Sequence, residues 1–263
     1  MKIMVLLKQT PPTEAKLKPT ADGRSLDTGS AGFIINPYDE FAIEEALRIR
    51  EQLGAGEVVI ASFGPADARE RILRALAMGA DRGLLISHDG LEDADSLTVA
   101  KILAAAIRTE AAELVLCGKQ AIDDDNMHTG VMTAEILDWP HVNVVTKMEL
   151  DGTKVRAERE TEGGRTELCE VTLPAVFGAH KALNTPRYVS VPGVMKARKK
   201  PLEQKNPADF GLDPAALKSS IRVLTEAFEL PPEKPAGRIF RDEAVDVMVD
   251  QVVRLLREEA KIL

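Results

Sequence analysis

The chain has 263 residues, 44% of them hydrophobic and 29% charged, with a formal net charge of -8. That suffices for one medium-sized globular domain with an appendage, and the acidity excludes a nucleic-acid surface as its main business. The two cysteines, Cys117 and Cys169, each sit in an apolar strand-like run and cannot build a disulfide framework, which points to a reducing compartment.

At the N-terminus five apolar residues separate Lys2 from Lys8, too few for a signal segment, and no run is long enough to cross a bilayer. A soluble, cytoplasmic protein without membrane insertion is expected. Short β-rich runs then alternate with helical patterns: IMVLL (3–7), a helix from Pro37, VVIASF (58–63), a helix from Pro65, GLLIS (83–87), a helix near Ser96, and ELVLC (113–117). This rhythm predicts a doubly wound, mostly parallel α/β sheet of the nucleotide-binding, Rossmann-like kind. The first helix has Asn36 where an N-cap belongs and Pro37 at its first position, with Asp39 and Glu40 favouring the positive end of its dipole. Ala42, Ala46, Ile49 and Leu53 form its expected core-facing stripe. After Pro140 the pattern changes to consecutive strand-like runs broken at Asp151-Gly152 and Gly163-Gly164, so antiparallel strands extend the sheet. The segment from 201 to 239 is proline-rich and reads as an extended arm, and the last stretch is a helix with Val245, Met248, Val252, Leu255 and Leu256 on one side. The division predicted is therefore 1–200 for the α/β domain and 201–263 for an arm and helix, lying on that domain or on a partner chain.

In a parallel sheet, ligands bind beyond the carboxyl ends of the strands, where the loops KQTPPT, FGPA and GKQAIDDDNMHTG converge. The last loop is a paradox, because the place where such folds hold phosphate carries Asp123, Asp124 and Asp125. Backbone N–H groups from Asn126 to Gly130 and the Thr129 hydroxyl suit a phosphate, and the aspartates suit ribose hydroxyls or backbone amides. For an arbitrary acidic triplet a solvated, helix-capping turn is the commoner explanation. A Mg²⁺ site ranks lowest, because three adjacent carboxylates cannot all converge on one ion.

Dinucleotide, P-loop, nucleophile-elbow and zincin signatures are absent, and His88, His128, His141 and His180 are scattered without ligand spacing. The stretch 181–200 holds six basic residues and no acidic one. Among them lie Tyr188, Val191, Val194 and Met195, punctuated by Pro186 and Pro192, a composition that fits either a protein-binding epitope or a basic turn.

The stretches INPYDEFAIEEALRI, ALAMGADRG, GKQAIDDDNMHTGVMTAEILDWP and LNTPRYVSVPGVMKARKK together resemble the β subunit of electron-transfer flavoproteins, from Lys2 to about Lys200 with a weaker echo in the arm. The resemblance implies a heterodimer in which the α subunit makes most contacts to a redox-active FAD while the β subunit binds a structural AMP. It implies an electron carrier without catalytic residues or a metal, fed by acyl-CoA-type dehydrogenases of fatty acid oxidation and discharging to a membrane quinone oxidoreductase. The positions matching the AMP site are Leu6, Asn36, Pro37, Tyr38, Asp39, Phe63, Gly118, Lys119, Gln120, Ala121, Ile122, Asp123, Asp124, Asp125, Asn126, Met127, His128 and Thr129. Those matching the dehydrogenase recognition loop run from Arg187 to Lys196, with Arg187, Tyr188, Val191, Pro192, Val194, Met195 and Lys196 as contacts and Val191 at an anchor position often leucine in the family. The C-terminal arm and helix are expected on the partner subunit. Electron-bifurcating relatives bind a second FAD in place of AMP, tend to have glycine at the position of Asp124 and lack the Thr129-Gly130 pair, so this chain sides with AMP. A stand-alone ATP-binding stress-type module needs small residues where this chain has Ala121 to Asp125.

Overall fold

The computed structural model describes residues 1–29, 31–233 and 236–263. They form two compact units, Met1–Phe228 and Glu229–Leu263.

The first unit opens with β1 (Lys2–Leu6), then β2 (Gln9–Thr10), β3 (Lys18–Pro19), β4 (Leu26–Asp27) and β5 (Ile34–Ile35), which form two small ribbons, β2 with β5 and β3 with β4. There follow α1 (Pro37–Leu53), β6 (Glu57–Gly64), a 3₁₀ turn (Ala66–Ala68) leading into α2 (Arg69–Met78), β7 (Arg82–Ser87), α3 (Ser96–Glu110), β8 (Leu114–Gly118) and α4 (His128–Leu137). Next come β9 (His141–Asp151), β10 (Lys154–Thr161), β11 (Arg165–Thr172), β12 (Ala175–Ala179), α5 (Val191–Ala197), β13 (Leu202–Lys205) and α6 (Pro214–Ser219). The main sheet has nine strands in the order β11-β10-β9-β12-β8-β1-β6-β7-β13.

Alternation along β1 shows how the sheet is sandwiched. Ile3 and Val5 join a core with Ala42, Ala46 and Leu47 of α1 and Ile72, Ala75 and Leu76 of α2. Met4 and Leu6 join a second core with Ile102 and Ile107 of α3 and Ala134 and Leu137 of α4. Successive strand residues face opposite sides, so the two cores occupy the two faces of the sheet, as a doubly wound fold requires.

The predicted hairpins are present: β9, β10 and β11 run antiparallel through turns at Gly152 and at Gly163-Gly164. The last two glycines both have φ of 71°, a conformation open to glycine and strained for other residues. Three details differ from the sequence expectation. β12 inserts between β8 and β9 parallel to both, because its buried run Ala175–Ala179 is apolar on each face. Leu53 is 44% exposed at the last turn of α1. The compact unit also continues past residue 200, since β13 pairs in parallel with β7 and Leu217 of α6 is buried in the second core.

In the second unit α7 (Val245–Glu258) is amphipathic but none of its residues is fully buried. Val245, Met248, Val249, Val252 and Val253 line a shallow apolar hollow with Ile239 and Phe240, and Arg238 pairs with Glu259 at 2.9 Å. Among the described residues no helix is long and apolar enough to cross a membrane.

Candidate functional site

The helices after β1 and β6 lie on one face and those after β7 and β8 on the other, so the chain parts between the neighbouring carboxyl ends of β1 and β8. A cavity of about 270 Å³ opens there. Its apolar part is made by Leu6, Ala61, Phe63, Ala94, Val99 and Leu103, and its polar part by Lys8, Asn36, Asp39, Ser96, Gln120, Asp124, Asn126 and Thr129.

One buried carboxylate joins the walls. Asp39 is 4% exposed and accepts from the backbone N–H of Lys8 after β1 (2.8 Å), from that of Gly118 at the end of β8 (2.8 Å) and from Asn36 Nδ2 (3.0 Å). Burial pushes its carboxyl up to about 7, against the lowering effect of those three donors and of the Lys8 charge. Gly118 is required at this approach, because a β-carbon there would lie 2.5 Å from Asp39 Oδ1 and 2.6 Å from Tyr38 Cβ.

Asn36 stands at the N-cap position of α1 but makes no side-chain cap. Its amide instead donates to Gln120 O at 2.9 Å and accepts from the Ile122 N–H at 3.2 Å, tying the acidic loop to the helix start. Two of the three aspartates share one cation: Lys8 Nζ lies 2.8 Å from Asp123 Oδ1 and 3.0 Å from Asp124 Oδ2. Asp125 turns the other way, toward Gln120 Nε2. The loop ends in Met127 with φ of 58°, and no side chain caps α4. The first N–H groups of that helix, at His128, Thr129 and Gly130, therefore remain open beside the cavity, at the positive end of the helix dipole.

Of the residues matched to a nucleotide site, Leu6, Asn36, Asp39, Phe63, Gly118, Lys119, Gln120, Ala121, Asp124, Asn126, Met127, His128 and Thr129 line the cavity. Pro37, Tyr38, Ile122, Asp123 and Asp125 stand behind the lining: Pro37 opens α1, and Tyr38 stacks near His180 with the Lys119 ammonium 5.2 Å from its ring centre. The sequence placed Lys8 only within the converging loop KQTPPT and did not point to Ser96, Val99 or Leu103 as cavity residues. Lys8 and Ser96 were findable from position alone, as the residues after a central strand and at the start of the next helix.

Two further titratable groups near the cavity have strongly shifted protonation, Cys117 and His141. Burial pushes the Cys117 thiol up to about 12, with the Asp39 charge adding to the effect, and its sulfur donates weakly to Phe177 O. Burial, aided by Arg159, brings His141 down to about 4, so it is neutral at ordinary pH. Outside the cavity, ligand atoms of His88, Asp89 and Glu92 come within 4.8 Å of one another in the turn after β7, though Asp89 and Glu92 are exposed and Glu92 already accepts from the Gly90 N–H.

The second predicted surface lies around α5. Tyr188, Val191 and Met195 are 95%, 76% and 68% exposed, with Val194 beside them. Arg187 is committed within the chain, pairing with Glu44 at 2.8 Å and Glu51 at 2.7 Å. Lys200 is also committed, its ammonium donating to Leu76 O at 3.0 Å and to Ala80 O at the end of α2.

The sequence model of the electron transfer flavoprotein domain matches residues 25–210. The chain is 39% identical to the electron transfer flavoprotein subunit beta of Bradyrhizobium diazoefficiens over 263 residues, covering all of both chains. It is 39% identical to the subunit of the same name from Bacillus subtilis over 264 residues, again covering all of both. With the human subunit beta it shares 40% over 239 residues, 90% of this chain and 91% of the other. With the doubly wound fold beneath it, this likeness places the chain in the electron transfer flavoprotein family, among its β subunits.

Proposed function

We propose that this chain pairs with an electron transfer flavoprotein α subunit, that the two enclose one FAD held mainly by the α subunit, and that the cavity between β1 and β8 holds one AMP. The heterodimer takes electrons from acyl-CoA-type dehydrogenases and passes them toward a membrane quinone oxidoreductase. Bound FAD supplies the redox chemistry; the residues of this chain bind, enclose and dock.

The observation that carries the AMP reading is the two-sided cavity. Its apolar part, at Leu6, Phe63, Val99 and Leu103, suits a base, and the uncapped start of α4 with the Thr129 hydroxyl suits a phosphate. Tyr188, Val191, Val194 and Met195 offer an exposed apolar epitope, flanked by Lys196, Arg198 and Lys199, which form no ion pair among the described residues. That arrangement supports dehydrogenase docking, with Val191 as anchor and the three free cations as steering charges.

The test is to co-purify the chain with its α subunit, denature the complex and quantify the released nucleotides. One FAD and one AMP per heterodimer is the expected result. Two FAD with no AMP would move the chain to the electron-bifurcating type, and the chain expressed alone should lack stoichiometric flavin.

A further inference from the structure

Lys8 lies just after β1 in the lining of the ligand cavity, and it is tied in three directions. Its backbone N–H donates to Asp39 Oδ2 at 2.8 Å, its carbonyl accepts from the Asn36 N–H at 2.9 Å, and its ammonium bridges Asp123 and Asp124. The ammonium works across a long span of sequence and is the cation paired with the acidic loop among the described residues. Asp123 lies behind the lining while Asp124 belongs to it, so the pair straddles the rim. Without a cation there, two carboxylates would stand within a few residues of the open N–H groups of α4, repelling any anion those groups attract.

We propose that Lys8 is the positioning residue of the nucleotide site: its ammonium holds the acidic loop at the cavity rim and offsets one of the two negative charges of Asp123 and Asp124, making the pocket more acceptable to a phosphate-bearing ligand. This rests on the nucleotide reading of the cavity. It accounts for the placing of three aspartates beside a phosphate site, because two share the Lys8 ammonium, which halves their charge, and the third is turned onto Gln120. Lys8 acts through the loop, so removing the carboxylates should substitute for the lost cation. The isosteric change of Asp124 to Asn keeps an oxygen for the Asn126 N–H that Asp124 now serves at 3.1 Å.

The experiment uses the heterodimer, stripped of nucleotide, with AMP as the probe and titrations at low and high ionic strength. Lys8→Met should weaken AMP binding about tenfold at low salt, with the defect shrinking as salt screens the bare carboxylates. Lys8→Arg should stay within about threefold of the parent, and Lys8→Met combined with Asp123→Asn and Asp124→Asn should recover most of the loss. A role confined to fold stability would show neither the salt dependence nor the recovery. Parental AMP affinity in Lys8→Met overturns the proposal, and so does a triple variant no better than Lys8→Met, which would mean that the ammonium contacts the ligand directly. Hydrogen exchange at the amides of 119–126 separates this from the nucleotide reading. If the parent itself binds no AMP, that reading fails, while faster exchange in Lys8→Met and parental exchange in Lys8→Arg still uphold the loop-holding role; unchanged exchange removes it.

Discussion

Arg187 grips Glu44 with backbone and side chain together: its own N–H and its Nε donate to Glu44 Oε2 at 3.0 and 2.8 Å, and its Nη2 donates to Oε1 at 3.1 Å. Glu44 lies on α1 and is nearly buried, so this grip fixes the loop leading to α5 against the helix. Burial works against the Glu44 charge, but the Arg187 contacts outweigh it and hold its carboxyl below the usual range. Arg187→Ala should cost about 1 to 2 kcal/mol, tempered by the partial exposure of the guanidinium and by Arg48, which still pairs with Glu44. Because the folded-state value is depressed, the contribution is present above the ordinary carboxylate value and is lost as pH falls through the lowered one. Urea denaturation at pH 7 and at about pH 3 should show the difference between parent and variant shrinking at the acid end; an equal deficit at both would refute the assignment.

Gly118→Ala tests the close approach of β8 to α1. The new methyl would meet Asp39 Oδ1, Tyr38 Cβ and the Tyr38 carbonyl carbon, all within 2.9 Å, so the first turn of α1 must shift. A loss of about 1 to 3 kcal/mol is expected, together with weaker AMP retention by the heterodimer. Thermal unfolding and nucleotide analysis of the same preparation check both, and parental behaviour in each would show that the walls are softer than the packing indicates.

Asp39 sets a pH dependence of the opposite sign. Its carboxyl is raised from the ordinary range to about 7, chiefly by burial, so the folded state holds a proton that the unfolded state releases near pH 4. Its contribution is full below the unfolded value and is lost as pH rises toward 7, with a slope of at most about 1.4 kcal/mol per pH unit. Asp39→Asn removes this titration, although the amide cannot accept all three donors and the variant should be less stable throughout. The readout is the parent-minus-variant difference in unfolding free energy between pH 5 and pH 7.5, which should narrow as pH rises; a constant difference would mean that Asp39 does not titrate in this range.

At α5, Val191→Asp should leave fold stability within about 0.5 kcal/mol, since the side chain is 76% exposed. Dehydrogenase docking should weaken by about 2 kcal/mol or more through burial of an unpaired carboxylate. Charge reversal at Lys196 and Lys199 should slow electron transfer mainly at low salt. Lys200→Glu should instead lower stability, because its ammonium satisfies two carbonyls at the end of α2. Electron-transfer rates against ionic strength, with melting temperatures, separate the three; parental transfer in Val191→Asp would make the loop a structural turn.

The alternation of strands and helices was legible because periodicity is a local property, and the loop at 118–130 was legible because strand ends locate ligands in such sheets. Residues acting over long sequence separations were misjudged. Asp39 and Asn36 are nucleotide-site positions by the family resemblance, but read residue by residue Asp39 is only a dipole-favouring residue and Asn36 only a helix cap, without the bonds to Lys8, Gly118, Gln120 and Ile122. Lys8 was placed near the site only as the first residue of the loop KQTPPT, since a single lysine after an apolar strand shows no partner until the fold brings Asp123 and Asp124 to it. The short edge strand Leu202–Lys205 was hidden because four residues between proline-rich flanks give too little alternation to register.

Helix α1 carries Asp39 in its first turn and Glu44, Glu45 and Glu51 further along, so one rod is clasped at the cavity and again by Asn184 and Arg187. Between Asp39 and Glu51 it rises roughly 18 Å, and each residue advances its phase by roughly 100°. Adding or deleting one residue between Asp39 and Glu44 would swing the far carboxylates about a quarter turn away from their partners. The helix is thus a ruler whose length is fixed at both ends, and sequence change in this segment is confined to substitution.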